Sequence, residues 1–348
     1  MSNSTKVAVL VAGSWGTAIA SVLAANGHEV LLWSRNEEQV QEINTQHVNR
    51  RFLGEAVLSE RIRATVSMEE AAQGAKAVFI VAPSSAMREI AASLRPHLGV
   101  GTIVVHATKG FETGTLKRMS EVLADELLPL DPTRIVVLSG PSHAEEVIQQ
   151  CPTTVVVASQ DKEAAKAAQA LLTNSYFRVY TTPDVVGIEV GGALKNIIAL
   201  GAGLSDGLGF GDNAKAALMT RGLAEIGRLG VAMGANTLTF AGLAGVGDLV
   251  VTCTSKHSRN WRAGSMLAQG LSLSEVLSRM GMVVEGVKTT QAAHKLSRQY
   301  GIEMPITDEL YLLLFEGKDP RSVVEDLMGR DPTHESVQVA ESTGDGWN

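Results

Sequence analysis

Five short apolar runs punctuate the first half of this chain, each closed by glycine, proline or a polar residue. They read KVAVLVA (6–12), EVLLW (29–33), AVFIVAP (77–83), TIVVHA (102–107) and RIVVLSG (134–140), and valine dominates them. Runs of this kind are strands buried on both faces. A segment of helical composition follows each one, and strands alternating with helices imply a parallel sheet with helices on both sides. TTVVVAS (153–159) and FRVYTT (177–182) extend the sheet. The first helix is expected from Trp15 to about Asn26, with Gly27 placed to end it and Asn36 placed to cap the next.

After Pro183 the character changes. Residues 184–328 contain no run of strand type, and Ala, Leu and Gly dominate, with Met scattered among them. NAKAALMTRGLAEIGRLGVAMG (213–234) carries apolar residues at helical spacing and ends in glycine. The 348 residues suit about two domains. Their boundaries are read as 1–188 for the α/β part, 189–330 for an all-helical part, and 331–348 for a polar, flexible tail.

A formal charge of -7 argues against a general nucleic-acid binder, because neutralising phosphates takes a basic surface. Cys151 and Cys253 stand alone and far apart, so neither a disulfide framework nor a metal site is expected, and Cys253 reads as a small buried hydrophobe. The start, MSNSTKVAVL, lacks the apolar core and cleavage site of a signal peptide. No uninterrupted apolar stretch approaches the roughly 20 residues of a membrane span. These readings point to a cytoplasmic protein without stable membrane insertion, and they leave a homodimer open.

The turn after the first run is VAGSWG (11–16), one letter away from the G-x-G-x-x-G dinucleotide fingerprint between strand and helix. Gly13 would let backbone approach a pyrophosphate, Gly16 would let helix and strand pack closely, and Ser14 and Trp15 would present amides at the helix start. Val11 occupies the first glycine position. If that position needs a positive φ, a β-branched residue costs on the order of 1–3 kcal/mol there. At the end of the second strand, WSRN (33–36) offers Arg35 where NAD sites place an acidic residue. A guanidinium suits a 2′-phosphate and favours NADP over NAD; a solvated surface arginine is the plainer alternative, and Glu37 and Glu38 nearby keep NAD open.

Ligands of open parallel sheets bind at the carboxyl ends of the strands. That places Lys109 of HATKG, and Gly140, Ser142, His143 and Ala144 of SGPSHA, beside a ligand. His143 is an acid/base candidate, though a histidine in a first helical turn more often packs or caps. In EVGGALKNIIALGAGL (189–204), Lys195 is the lone cation among small and apolar residues. Burial disfavours a charged amine and brings it toward proton-transfer range; a lysine snorkelling to water is the alternative. LAGVGDLVVTCTSKHSRNWRAG (243–264) places Asp248 among glycines, where it could pair with Lys195, followed by Thr252 and then Ser258, Arg259 and Asn260. Arg259 donates two parallel bonds to a phosphate or carboxylate, and its neighbours complete an anion clamp. Read plainly, SRN is a helix cap.

Taken in order, GSWGTAIA, TKGFE, LSGPSHAEEV, EVGGALKNIIALGAGLSDGLGFGDNAKAAL, GVGDLVVTCTSKHSRN and VVEGVKT resemble the bacterial NAD(P)-dependent glycerol-3-phosphate dehydrogenases, from the N-terminus to about residue 328. The resemblance implies a Rossmann-type domain, a helical substrate domain, and reversible hydride transfer between a nicotinamide and C2 of dihydroxyacetone phosphate, feeding glycerophospholipid synthesis. It implies Lys195 as general acid/base, Lys109 as a second lysine touching substrate and cofactor, and Asp248 as support. It implies substrate contacts from Gly140, Ser142, Asp248, Thr252, Ser258, Arg259 and Asn260. Cofactor contacts would come from Gly13, Ser14, Trp15, Gly16, Arg35, Lys109, Ala144, Arg259, Val283 and Glu285. Val11 departs from the family glycine, which implies weakened cofactor binding. Two rival readings are a β-hydroxyacid dehydrogenase and a non-catalytic protein of the same fold.

Overall fold

The computed structural model describes residues 4–332. Two compact units divide the chain, Met1–Glu189 and Val190–Asn348. The tail expected over 331–348 lies, from residue 333 onward, outside the described residues.

The first unit carries strands β1 (Lys6–Leu10), β2 (Glu29–Trp33), β3 (Ile62–Thr65), β4 (Ala77–Ile80), β5 (Ile103–His106), β6 (Ile135–Ser139), β7 (Thr153–Ala158) and β8 (Phe177–Thr182). They form one sheet in the order β3-β2-β1-β4-β5-β6-β7-β8. Its helices are α1 (Ser14–Ala25), α2 (Glu37–Gln46), α3 (Arg50–Leu53), α4 (Met68–Ala72), α5 (Met87–Leu94), α6 (Met119–Glu126), α7 (Ala144–Val147) and α8 (Lys162–Leu172). Successive strand residues point to opposite faces. Val7, Val9, Ala77 and Phe79 accordingly join the core under α1 and α8, while Ala8, Leu10, Val78 and Ile80 join the core under α4, α5 and α6. Both faces are apolar because both are covered, hence the unbroken valine runs.

Two features differ from the sequence reading. β3 was not expected: IRAT is four residues long, carries an exposed Arg63, and pairs only with β2 at the sheet edge. The sheet is also not wholly parallel, since β7 runs antiparallel to β6, with Val137 opposite Ala158. The link between them holds only the four-residue α7. Four residues of helix rise about 6 Å, too little to climb back along a five-residue strand of roughly 16 Å, so the chain turns and returns.

The second unit contains helices and connecting turns and no strand among its described residues. α9 (Val185–Leu208) begins in the first unit and continues into the second, where α10 (Gly211–Ala232), α11 (Asp248–Thr254), α12 (Arg259–Ala268), α13 (Leu273–Met280), α14 (Glu285–Tyr300), α15 (Pro305–Phe315) and α16 (Pro320–Met328) follow. α9 is mostly apolar and buried along most of its length, the pattern of a central core helix. Among the described residues it is the one helix long and apolar enough, by length and composition alone, to cross a membrane, its apolar window averaging a hydropathy of 1.5, yet charged side chains interrupt the run. However, 89% of its apolar window is buried inside the protein, and Glu189 and Lys195 are part of it. On α10, buried Glu225 accepts hydrogen bonds from the amides of Ile306 (2.6 Å) and Thr307 (3.2 Å) at the start of α15. Burial pushes its carboxyl up to about 7 in spite of those bonds.

Candidate active site

At the end of β1, Val11 donates its amide to the carbonyl of Trp33 (3.0 Å) and takes φ +81°. The turn therefore does need a left-handed residue, and valine is strained there. A Cβ on Gly16 would lie 2.1 Å from the Val11 carbonyl oxygen, so only glycine allows α1 to start this close to the strand. A Cβ on Gly13 would meet nothing within 4 Å, and α1 has no side-chain cap. Open space above Gly13 and uncapped amides on a twelve-residue helix fit a pyrophosphate.

A buried polar network that the sequence reading missed supports the turn. The Ala12 carbonyl accepts from Gln39 (2.6 Å) and Asn49 (3.0 Å); Asn49 also donates to Thr17 (2.8 Å), and Ser34 donates to Gln39 (2.6 Å). Ser14 donates to the carbonyl of Phe52 (3.1 Å). Asn49 sits at the head of α3 without capping it; it accepts from Gln39 (3.0 Å), and no local pattern marks an asparagine whose amide donates to residues more than 30 positions away.

Arg35 lies 5.7 Å from the Trp33 ring centroid and pairs with Glu89 at 3.0 Å. Both members of that pair are exposed, and such pairs are worth about 0–1 kcal/mol, so the guanidinium exchanges partners at little cost. Asn36 caps α2 as expected, and Glu37 and Glu38 complement the positive end of that helix.

Lys109 follows β5 in a segment tied down on its far side. Arg88 grips Glu112 with two bonds of 2.7 and 2.8 Å and reaches Glu126 at 2.6 Å. The Arg88 guanidinium holds the Glu112 carboxyl below its usual range. After β6, Gly140 takes φ +132°, its carbonyl accepts from the Ser142 hydroxyl (2.9 Å), and Ala144 opens α7. His143 is the cap residue of α7 but makes no side-chain cap bond. Gly13, Lys109, Gly140 and Ser142 thus follow the carboxyl ends of β1, β5 and β6 in one sheet.

In the second unit, Lys195 and Asp248 are 5% and 1% exposed. The Lys195 ammonium donates to the Asp248 carboxylate and to the Thr252 hydroxyl (2.6 Å). Thr252 in turn donates to the Asp248 carbonyl (2.6 Å), so one turn of α11 supplies both partners. A Cβ on Gly191 would stand 2.6 Å from the Ala244 carbonyl oxygen, and glycine lets α9 approach the segment that leads into Asp248. Lys195 is buried and paired; it does not snorkel. Beside it, burial pushes the Cys253 thiol up to about 12, which leaves it inert.

Ser258 caps α12, its hydroxyl accepting from the Trp261 amide (3.2 Å), and Arg259 opens that helix. Asn260 donates to Asn196, the neighbour of Lys195, at 2.9 Å. Lys195 and Arg259 are therefore one residue away from a shared Asn196–Asn260 bond. Val283 precedes α14 and Glu285 is its first residue.

Residues 6–165 match the family model of the NAD-dependent glycerol-3-phosphate dehydrogenase N-terminus, and residues 184–325 match that of its C-terminus. A glycerol-3-phosphate dehydrogenase (NAD(P)+) of Bacillus anthracis is 58% identical over 332 residues, covering 95% of this chain and 97% of the relative. The solved glycerol-3-phosphate dehydrogenase from Coxiella burnetii superposes with a TM-score of 0.89 at 39% identity, over 94% of this chain and 99% of that one. The yeast enzyme, from Saccharomyces cerevisiae, gives 0.81 at 28%, over 94% and 100%. With both halves matched in order and the lysine–aspartate pair in place, the chain belongs to the NAD-dependent glycerol-3-phosphate dehydrogenase family.

Proposed function

We propose that this protein reversibly reduces dihydroxyacetone phosphate to sn-glycerol 3-phosphate with a nicotinamide cofactor. The observation that carries this reading is the buried Lys195 ammonium, held by Asp248 and Thr252. As a carbonyl at C2 is reduced, negative charge develops on its oxygen. Lys195 Nζ stabilises that charge and donates the proton that completes the hydroxyl; in the reverse direction the amine takes the proton back. Asp248 compensates the buried ammonium, and Thr252 fixes its direction. Arg259, with Ser258 and Asn260, grips the substrate phosphate as a handle remote from the reacting carbon, so that its binding energy orients C2. Lys109, Gly140 and Ser142 supply further substrate contacts.

The cofactor, when bound, supplies the hydride. Gly13, Ser14, Trp15 and Gly16 receive its pyrophosphate, and Lys109, Ala144, Arg259, Val283 and Glu285 complete its contacts. Arg35 takes the 2′-phosphate and favours NADP over NAD. Residues 1–188 then act as the cofactor domain and 189–330 as the substrate domain, of a cytoplasmic homodimer that supplies glycerophospholipid synthesis. Mixing the protein with dihydroxyacetone phosphate and NADPH or NADH, and following absorbance of the reduced nicotinamide, tests the reading. Consumption faster with NADPH is expected; folded protein that consumes neither overturns it.

A further inference from the structure

α14 starts without a cap of its own. Val284 stands at the cap position with no side-chain oxygen to offer, yet the first amides of a helix need acceptors. The missing acceptor comes from another helix. Asn260, on α12, presents its side-chain oxygen to the Gly286 amide at 2.9 Å, the second residue of α14 and a position that a cap serves. A backbone amide can only donate, which fixes the orientation of the Asn260 carboxamide. Its nitrogen therefore faces Asn196, to whose oxygen it donates at 2.9 Å. A Cβ on Gly286 would fall 2.7 Å from both the Asn260 oxygen and the Asn196 carbonyl oxygen, so glycine is what admits the strut. All three residues are buried.

We propose that Asn260 is a positioning residue that caps α14 from outside and so holds Val283 and Glu285 in place for the cofactor, beyond any contact it makes with phosphate. This rests on the proposed function, in which that segment touches the cofactor while α9 carries Lys195. The strut links the two through Asn196, one residue after the acid/base. The carbonyl oxygen of Asn260 is committed to Gly286, so any phosphate contact falls to its nitrogen.

The full-length protein is titrated with NADPH by fluorescence without substrate, and amide exchange is followed over residues 284–288. Asn260→Ala should weaken NADPH about five- to tenfold and speed exchange at those amides. Asn260→Asp, which keeps an acceptor for Gly286 but loses the donor to Asn196, should retain slow exchange at the Gly286 amide. Should Asn260→Ala not fold, Asn260→Ser, too short to reach Gly286, carries the same expectation. Unchanged exchange and NADPH affinity in the Ala or Ser variant, with only the KM for dihydroxyacetone phosphate raised, overturns the proposal. An Asp variant whose amides over residues 284–288 exchange as fast as those of Ala overturns it too. A parent protein that fails to bind NADPH refutes the functional reading instead, and the exchange measurement still decides the strut.

Discussion

Replacing Val11 with glycine and with alanine separates backbone strain from packing at the cofactor turn. Val11 holds φ +81° with a half-buried side chain against the core that includes Leu10 and Trp33. A β-branched residue in this region costs about 1–3 kcal/mol, which glycine relieves. Against that, Val11→Gly loses about half the roughly 1.5–3 kcal/mol of a fully buried valine and adds about 0.4–1 kcal/mol of unfolded-chain freedom. The terms nearly cancel, so Val11→Gly should stay within about 1 kcal/mol of the parent and move Tm by no more than about 4 °C. Val11→Ala loses most of the same packing, sparing only the β-carbon, and keeps most of the strain, so it should be the less stable variant by up to about 1 kcal/mol. At an ordinary strand or helix position the order is reversed, with glycine worse than alanine by about 0.5–1 kcal/mol. Chemical denaturation of the three proteins decides the matter, and an alanine variant at least as stable as the glycine one refutes the strain argument. In a fluorescence titration Val11→Gly should also bind NADPH more tightly; equal affinity would show that the branched side chain does not hinder the cofactor.

Three further results are expected. Removing one member of the buried pair, by Asp248→Ala or Lys195→Met, should cost about 3–5 kcal/mol, because the other charge is stranded. The double variant Lys195→Met/Asp248→Leu should recover to within about 2 kcal/mol of the parent, and denaturation showing additive losses would contradict the pairing. Glu189 is buried between His106 (3.2 Å), Arg118 (2.6 Å) and Ser120; burial raises its carboxyl, but these partners win and hold it at about 2, below the usual 4.5. Its folded value is depressed, so it stabilises the protein above pH 4.5 by roughly 3 kcal/mol and loses that as pH falls toward 2. Glu189→Gln should flatten acid unfolding across that window, and an unchanged slope counts against it. Glu225 has the opposite sign: its folded value is raised to about 7, so its contribution is present below 4.5 and lost as pH rises through 7. Glu225→Gln should lose less stability than the parent between pH 5 and pH 8, and equal losses in urea titrations would refute this.

The legible parts of this molecule were those written in local pattern. β2 and β8 fall where EVLLW and FRVYTT place them, and Asn36 caps α2, because burial on both faces and helix capping leave marks a few residues wide. The pairing of Lys195 with Asp248 was half readable: a cation in an apolar window either finds an anion or snorkels to water, and only the fold, by bringing α11 to α9, decides for the anion. What was not legible depends on partners distant in the chain. Asn49 and Gln39 look like ordinary polar residues until the fold brings Ala12 to them. Ser258 proved to be the helix cap that SRN also suggested, and Asn260 the cap of a helix 25 residues further on. The reversal of β7 depends on how short α7 is, which valine content does not reveal.

The direct test of the account is turnover of dihydroxyacetone phosphate by Lys195→Met/Asp248→Leu, where restored stability removes unfolding as an explanation. With NADPH affinity within about twofold of the parent, kcat should fall by about 10²–10⁴, the range a positioned proton donor contributes. A double variant that binds NADPH normally and turns over within tenfold of the parent would mean that the buried amine is not the acid of this reaction.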